Sequence, residues 1–124
     1  MLAIHPIPAF NDNYIWAIIN NDAKQAIIVD AGDAAPVLDF LQKNNLNICQ
    51  IWVTHHHQDH IGGVAELANI YPNAQIFAHV DIHPLVKAKN LQAAREGSEL
   101  TAWGCPVQVW QVAAHTDNHL AYLL

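Results

Sequence analysis

Positive charge is scarce in this sequence. Five lysines and arginines stand against eleven aspartates and glutamates, a formal charge of −6. With no sizeable basic patch to draw on, neither a nucleic-acid backbone nor an anionic membrane surface is a suitable partner. Long apolar runs are missing too, since none approaches the roughly 20 residues that a membrane-spanning helix needs. The opening residues Met1-Leu2-Ala3-Ile4-His5-Pro6 lack the basic leader and long apolar stretch of a secretory signal. Cysteine is limited to Cys49 and Cys105. Two are too few for a disulfide scaffold and suit a reducing cytoplasm. No repeat, linker or biased tract interrupts the chain, so residues 1–124 are expected to form a single domain. A composition that is 52% hydrophobic and 13% charged belongs to a globular protein with a real core. Histidine is what abounds. There are nine in 124 residues, and His55, His56, His57 and His60 fall within one six-residue stretch.

Apolar runs alternate with helical patterns. Tyr14–Asn20 and Gln25–Asp30 read as strands joined by a polar turn, Asn21–Lys24. Pro36 suits the first turn of a helix whose apolar face is Val37, Leu38, Phe40 and Leu41, ending at Asn44-Asn45. Ile48–Thr54 is apolar enough for a strand covered on both faces. A helix over Val64–Tyr71, a strand over Gln75–His79 and a helix over Pro84–Glu99 follow. Val107–Val112 and His119–Leu124 complete the pattern as strands. The expected order, β-β-α-β-α-β-α-β-β, is that of an α/β protein with a mixed sheet layered by helices.

The segment Thr54-His55-His56-His57-Gln58-Asp59-His60 carries the chemistry. At a strand end, residues two apart point the same way, so His55 and His57 can converge on one ion. His56, between them, is expected to point away and serve packing or hydrogen bonding. Asp59 and His60 follow on the turn, placed for a second ion beside the first. Imidazoles with a carboxylate suit zinc, iron or another borderline divalent metal better than calcium or magnesium. In a chain with nine histidines, the pattern H-x-H-x-D-H arises by chance about 0.3% of the time. Three protein ligands plus an open position mark a catalytic zinc, so a third histidine is expected among His5, His79, His83, His115 and His119. His115 is moderately favoured because it follows the strand Val107–Val112.

These residues resemble the metallo-β-lactamase superfamily, whose hallmark T-H-x-H-x-D-H is matched from Thr54 to His60. Two further segments narrow the likeness. Asp12-Asn13-Tyr14-Ile15-Trp16 is similar to the D-N-Y-x-W of the glyoxalase II branch, the hydroxyacylglutathione hydrolases. Val29-Asp30-Ala31-Gly32-Asp33-Ala34-Ala35-Pro36-Val37 is similar to that branch's V-D-P-G-x-A-x-P-V, and His55 to Gly63 to its H-H-H-x-D-H-x-G-G.

The resemblance implies an αββα sandwich and metal-dependent hydrolysis of S-(2-hydroxyacyl)glutathione thioesters, S-lactoylglutathione among them. In that reading a metal-bound hydroxide is the nucleophile, and the substrate is a small-molecule thioester. By position, His55, His57 and His115 would bind the first metal, and Asp59 and His60 the second. Asp30 would support the site from the V-D-x-G turn. The family holds two zinc ions, with iron or manganese as alternatives.

The family's bridging aspartate, last metal-binding histidine and glutathione-binding residues lie beyond its G-H-T segment, here Ala114-His115-Thr116. The expectation is therefore only the N-terminal part of the sandwich, without the family's helical C-terminal domain. Such a chain would hold about one metal, hydrolyse thioester poorly and self-associate through exposed core surface. The competing expectations are an inactive metal-binding fragment and another hydrolase or sulfur dioxygenase of the same superfamily.

Overall fold

The computed structural model describes residues 2–9, 13–54, 61–79, 90–94, 98–111 and 120–123. Its first sheet has six strands in the order β1 (Leu2–Ala9), β2 (Asn13–Asn20), β3 (Gln25–Val29), β4 (Asn47–Trp52), β5 (Gln75–Ala78) and β6 (Leu91–Ala93). The first three are antiparallel and the last three join β3 in parallel. β7 (Glu99–Ala102), β8 (Cys105–Gln111) and β9 (Leu120–Leu123) form a second, antiparallel sheet. The helices are α1 (Ala34–Asn44) and α2 (Val64–Ile70).

Local chemistry explains most boundaries. Asn20 turns the β2–β3 hairpin by accepting from the Ala23 N–H at 3.1 Å. Asp33 caps α1, accepting from the Ala35 N–H at 3.2 Å, and Asn45 closes it in the left-handed region with φ 56°. Trp103 and Gly104, both at positive φ, make the two-residue turn between β7 and β8. The turn makes Cys105 the first residue of β8.

β3 and β4 are buried on both faces, and their alternate residues feed two cores. Ile28, Ile51 and Val53 join Val37, Leu41, Val64 and Leu67 beneath the helices. Ile27 and Trp52 join Ala94, Leu100, Ala102, Val107 and Val109 between the sheets. Among the described residues the layers are helix, sheet and sheet, three of the four in the expected sandwich.

Two differences from the sequence reading stand out. The helix expected over Pro84–Glu99 is contradicted at Leu91–Ala93, which pairs in parallel with Ile76–Ala78, and at Glu99, which opens β7. Strand pairing and the burial of Ala94 between the sheets outweigh helical preference there; residues 84–89 and 95–97 lie outside the described residues. β1 was unforeseen, since Pro6 and Pro8 mask it. It is tolerated as the sheet's edge strand. On the neighbouring β2, Trp16 is 43% exposed where it pairs with Pro6. His5 also lies on β1, exposed, with its ring 5.9 Å from that of Phe40.

Polar ties cross between the sheets. Buried Gln50 accepts from Trp52 Nε1 at 2.8 Å and donates to the Thr101 carbonyl of β7 at 2.8 Å. Trp103 Nε1 donates to Gln25 Oε1 at 2.7 Å. Replacing Gln50 by Leu strands the Trp52 donor and the Thr101 acceptor, and should cost about 2–3 kcal/mol in urea denaturation. Lys43→Ala removes only an exposed ion pair with Asp39 and should stay within about 0.5 kcal/mol.

The thiols differ in the same way. Burial pushes Cys49 up to about 11, and its Sγ–H donates to the Ala26 carbonyl, whereas Cys105 is exposed. At pH 8 roughly one Cys49 in a thousand is thiolate. Iodoacetamide should therefore label Cys105 first, with Cys49 labelling rising tenfold per pH unit until about 11. Mass spectrometry of timed samples reads both rates.

Candidate metal centre at the end of the fourth strand

The parallel strands β3 and β4 deliver their carboxyl ends to one edge of the sheet, where sites gather in α/β folds. Asp30 leaves β3 with φ 58°, a conformation that aspartate tolerates better than most side chains. Its N–H donates to the Trp52 carbonyl at 2.9 Å, extending the ladder by one rung. Its carboxylate, 8% exposed, turns toward the neighbouring strand. Oδ1 accepts from the Thr54 N–H at 2.7 Å and Oδ2 from the Thr54 hydroxyl at 2.5 Å. The last residue before the histidine segment is thus held at both its backbone and its side chain by charge-assisted bonds.

The far end of that segment is anchored to the same loop. Ile61 is buried in the helix-side core. The Gly63 N–H donates to the Ala31 carbonyl at 2.7 Å. A Cβ on Gly63 would stand 2.4 Å from the Ala34 nitrogen and 2.7 Å from the Asp33 carbonyl carbon. Glycine is required here by close approach, since its φ of −99° suits any residue. Residues 30–34 therefore grip the chain on both sides of positions 55–60.

The expected ligands His55, His57, Asp59, His60 and His115 all lie outside the described residues, as do His56, His83 and His119. Of the alternatives, His5 is placed on β1 against α1. His79 directly follows β5, half-buried, at the same carboxyl edge as Thr54. Among the described residues no three histidine, cysteine or acidic side chains form a metal-binding group. No described helix is long and apolar enough to cross a membrane.

One participant at this edge was missed by the sequence reading. Tyr122 of β9 brings its hydroxyl to 2.8 Å from the Val53 carbonyl and 2.9 Å from that of Phe77. Its ring stacks on Trp52, centroids 5.0 Å apart. No local pattern signals this, because the contacts span 69 and 45 residues of sequence.

The fold has solved counterparts. Over 97% of this chain and 66% of the other, it superposes on the BLEG-1 B3 metallo-beta-lactamase with a TM-score of 0.82 at 21% identity. ETHE1 from Myxococcus xanthus gives 0.78 at 23% identity over 98% of this chain and 53% of that one. These define a metallo-β-lactamase fold. The sequence matches the Metallo-beta-lactamase superfamily over residues 11–122, and the chain belongs to that family. Within it, the chain is 44% identical over 123 residues to a hydroxyacylglutathione hydrolase of Vibrio campbellii. It is 41% identical over 117 residues to one of Xanthomonas campestris. These alignments cover 99% and 94% of this chain but 47% and 44% of those proteins, so the chain spans about half their length.

Gly63→Ala is expected to destabilise the fold by about 3 kcal/mol or more, since the added methyl meets backbone that cannot move aside. Thermal unfolding by circular dichroism reads the loss.

Proposed function

We propose that this chain is the metal-binding portion of a hydroxyacylglutathione hydrolase, acting on glutathione thioesters of small 2-hydroxy acids in the cytoplasm. The observation that supports this most directly is the double anchoring of residues 55–60. Asp30 fixes Thr54 before them, and the Ala31–Ala34 loop receives Gly63 after them. The relatives' name and the 44% identity across nearly the whole chain supply the substrate class.

The donor set fits the metal. His55, His57 and His115 would hold one zinc, and Asp59 with His60 a second, more weakly, with only two protein ligands. When bound, the metal supplies Lewis acidity and lowers the pKa of a bound water toward neutrality. The chain's own work is placement. Asp30 holds the exit of β4, so that the imidazoles after it start from a fixed point rather than a searching loop. Gly63 sets where α2 begins. Cys49, kept protonated by burial, is not a candidate nucleophile.

Elemental analysis of freshly purified protein, with oligomeric state measured on the same sample, should find about one zinc per chain. His57→Ala should reduce zinc at least tenfold, and hydrolysis of S-lactoylglutathione should fall in parallel. A chain that takes up no zinc, or whose His57→Ala variant keeps both metal and turnover, would overturn this assignment.

A further inference from the structure

The second sheet reaches across the sandwich at one place to touch the point where the histidine segment begins. Val53 and Thr54, the last two residues before it, have their backbone groups claimed from three directions. The Val53 N–H donates to the Phe77 carbonyl at 2.9 Å. The Thr54 N–H donates to Asp30. The Val53 carbonyl lies beyond the end of β4 and faces the Tyr122 hydroxyl at 2.8 Å. That hydroxyl also lies 2.9 Å from the Phe77 carbonyl, so its single proton is shared between the ends of β4 and β5. Stacking on Trp52 at 16° between ring planes fixes the tyrosine ring and aims the hydroxyl.

We infer that Tyr122 is a positioning residue for the proposed metal site, its hydroxyl clasping β4 to β5 at the point from which residues 55–60 depart. The inference rests on the reading of those residues as metal ligands and deepens it. Burial, with the Asp30 carboxylate nearby, keeps the phenol in its protonated, donating form well above the usual pH range for its loss. Asp30 and Tyr122 are complementary. One belongs to the six-stranded sheet and holds Thr54; the other belongs to the three-stranded sheet and holds Val53. A structural tie elsewhere in the sandwich, such as Trp103 to Gln25, bridges the same two sheets without touching this exit.

Tyr122→Phe keeps the ring and removes the clasp, and Trp103→Phe is its control. Both should lower the melting temperature by a few degrees, as loss of one hydrogen bond does. Only Tyr122→Phe should speed amide hydrogen exchange in a peptide spanning residues 54–61, by about tenfold. It should also weaken cobalt(II) binding about tenfold and alter the visible spectrum of the bound cobalt. Exchange, affinity and spectrum that match the Trp103→Phe control would make Tyr122 a merely structural residue and overturn the inference. If the unaltered chain takes up no cobalt, the ligand assignment fails, while the exchange result still decides the role of Tyr122. Should the Tyr122→Phe chain not fold, the unaltered chain serves. Its Tyr122 hydroxyl proton should be slow enough in exchange to be seen by NMR in water, and absence of that signal would count against the clasp.

Discussion

A buried carboxylate gripping the end of the neighbouring strand is the interaction around which this molecule is arranged. Asp30 is 8% exposed, and a buried charge is tolerable only when hydrogen-bond donors surround it. Thr54 supplies two, from backbone and side chain. The requirement works in both directions. The carboxylate needs Thr54 for its own solvation, and Thr54 is thereby held in one place at the end of β4. The left-handed backbone at Asp30 costs some strain, which the Asp30 N–H bond to Trp52 and the Gly32 N–H bond to the Asp30 carbonyl offset. The turn after β3 is therefore both a stability element and a fixture for the site.

The double-sided burial of β3 and β4 gives that fixture its rigidity. Ile28 and Ile51 face the helices while Ile27 and Trp52 face the second sheet, so the strands that carry the edge cannot tilt without disturbing two cores. Close packing makes such a movement expensive. The polar ties sit inside this packing rather than at its margin. Gln50 satisfies Trp52 and reaches Thr101, and Tyr122 stacks on the same Trp52 while reaching Val53. Trp52 is thus the shared wall between the intersheet core and the polar edge of the sheet.

Much of the first half of the chain could be read from its residues. The polar turn Asn21–Lys24, Pro36 in the first helical turn and the Asn44-Asn45 terminus are local signals with local causes, and the structure places β2, β3, α1 and β4 accordingly. The second half was less legible. Leu91–Ala93 has no strand pattern of its own and becomes a strand because Ile76–Ala78 offers it a parallel partner. β1 carries two prolines and is a strand only because β2 pairs its whole length. In both, the neighbour outweighs the intrinsic preference of the segment.

The sequence by itself determined the chemistry offered at one place: the order Thr54-His55-His56-His57-Gln58-Asp59-His60 follows from covalent connectivity and lies directly after an apolar strand. The family resemblance also singled out Asp30, in the V-D-x-G turn, and Gly63, at the end of the histidine motif. Only the tertiary structure decided what each of them meets. Asp30 meets Thr54 across 24 residues of sequence, and Gly63 lies against Ala34 and Asp33 of a different turn. Tyr122 reaches Val53 across 69. Such contacts join segments whose separate sequences carry no sign of one another. They exist because folding brings the carboxyl ends of β3, β4 and β5 to one edge and lays β9 over them.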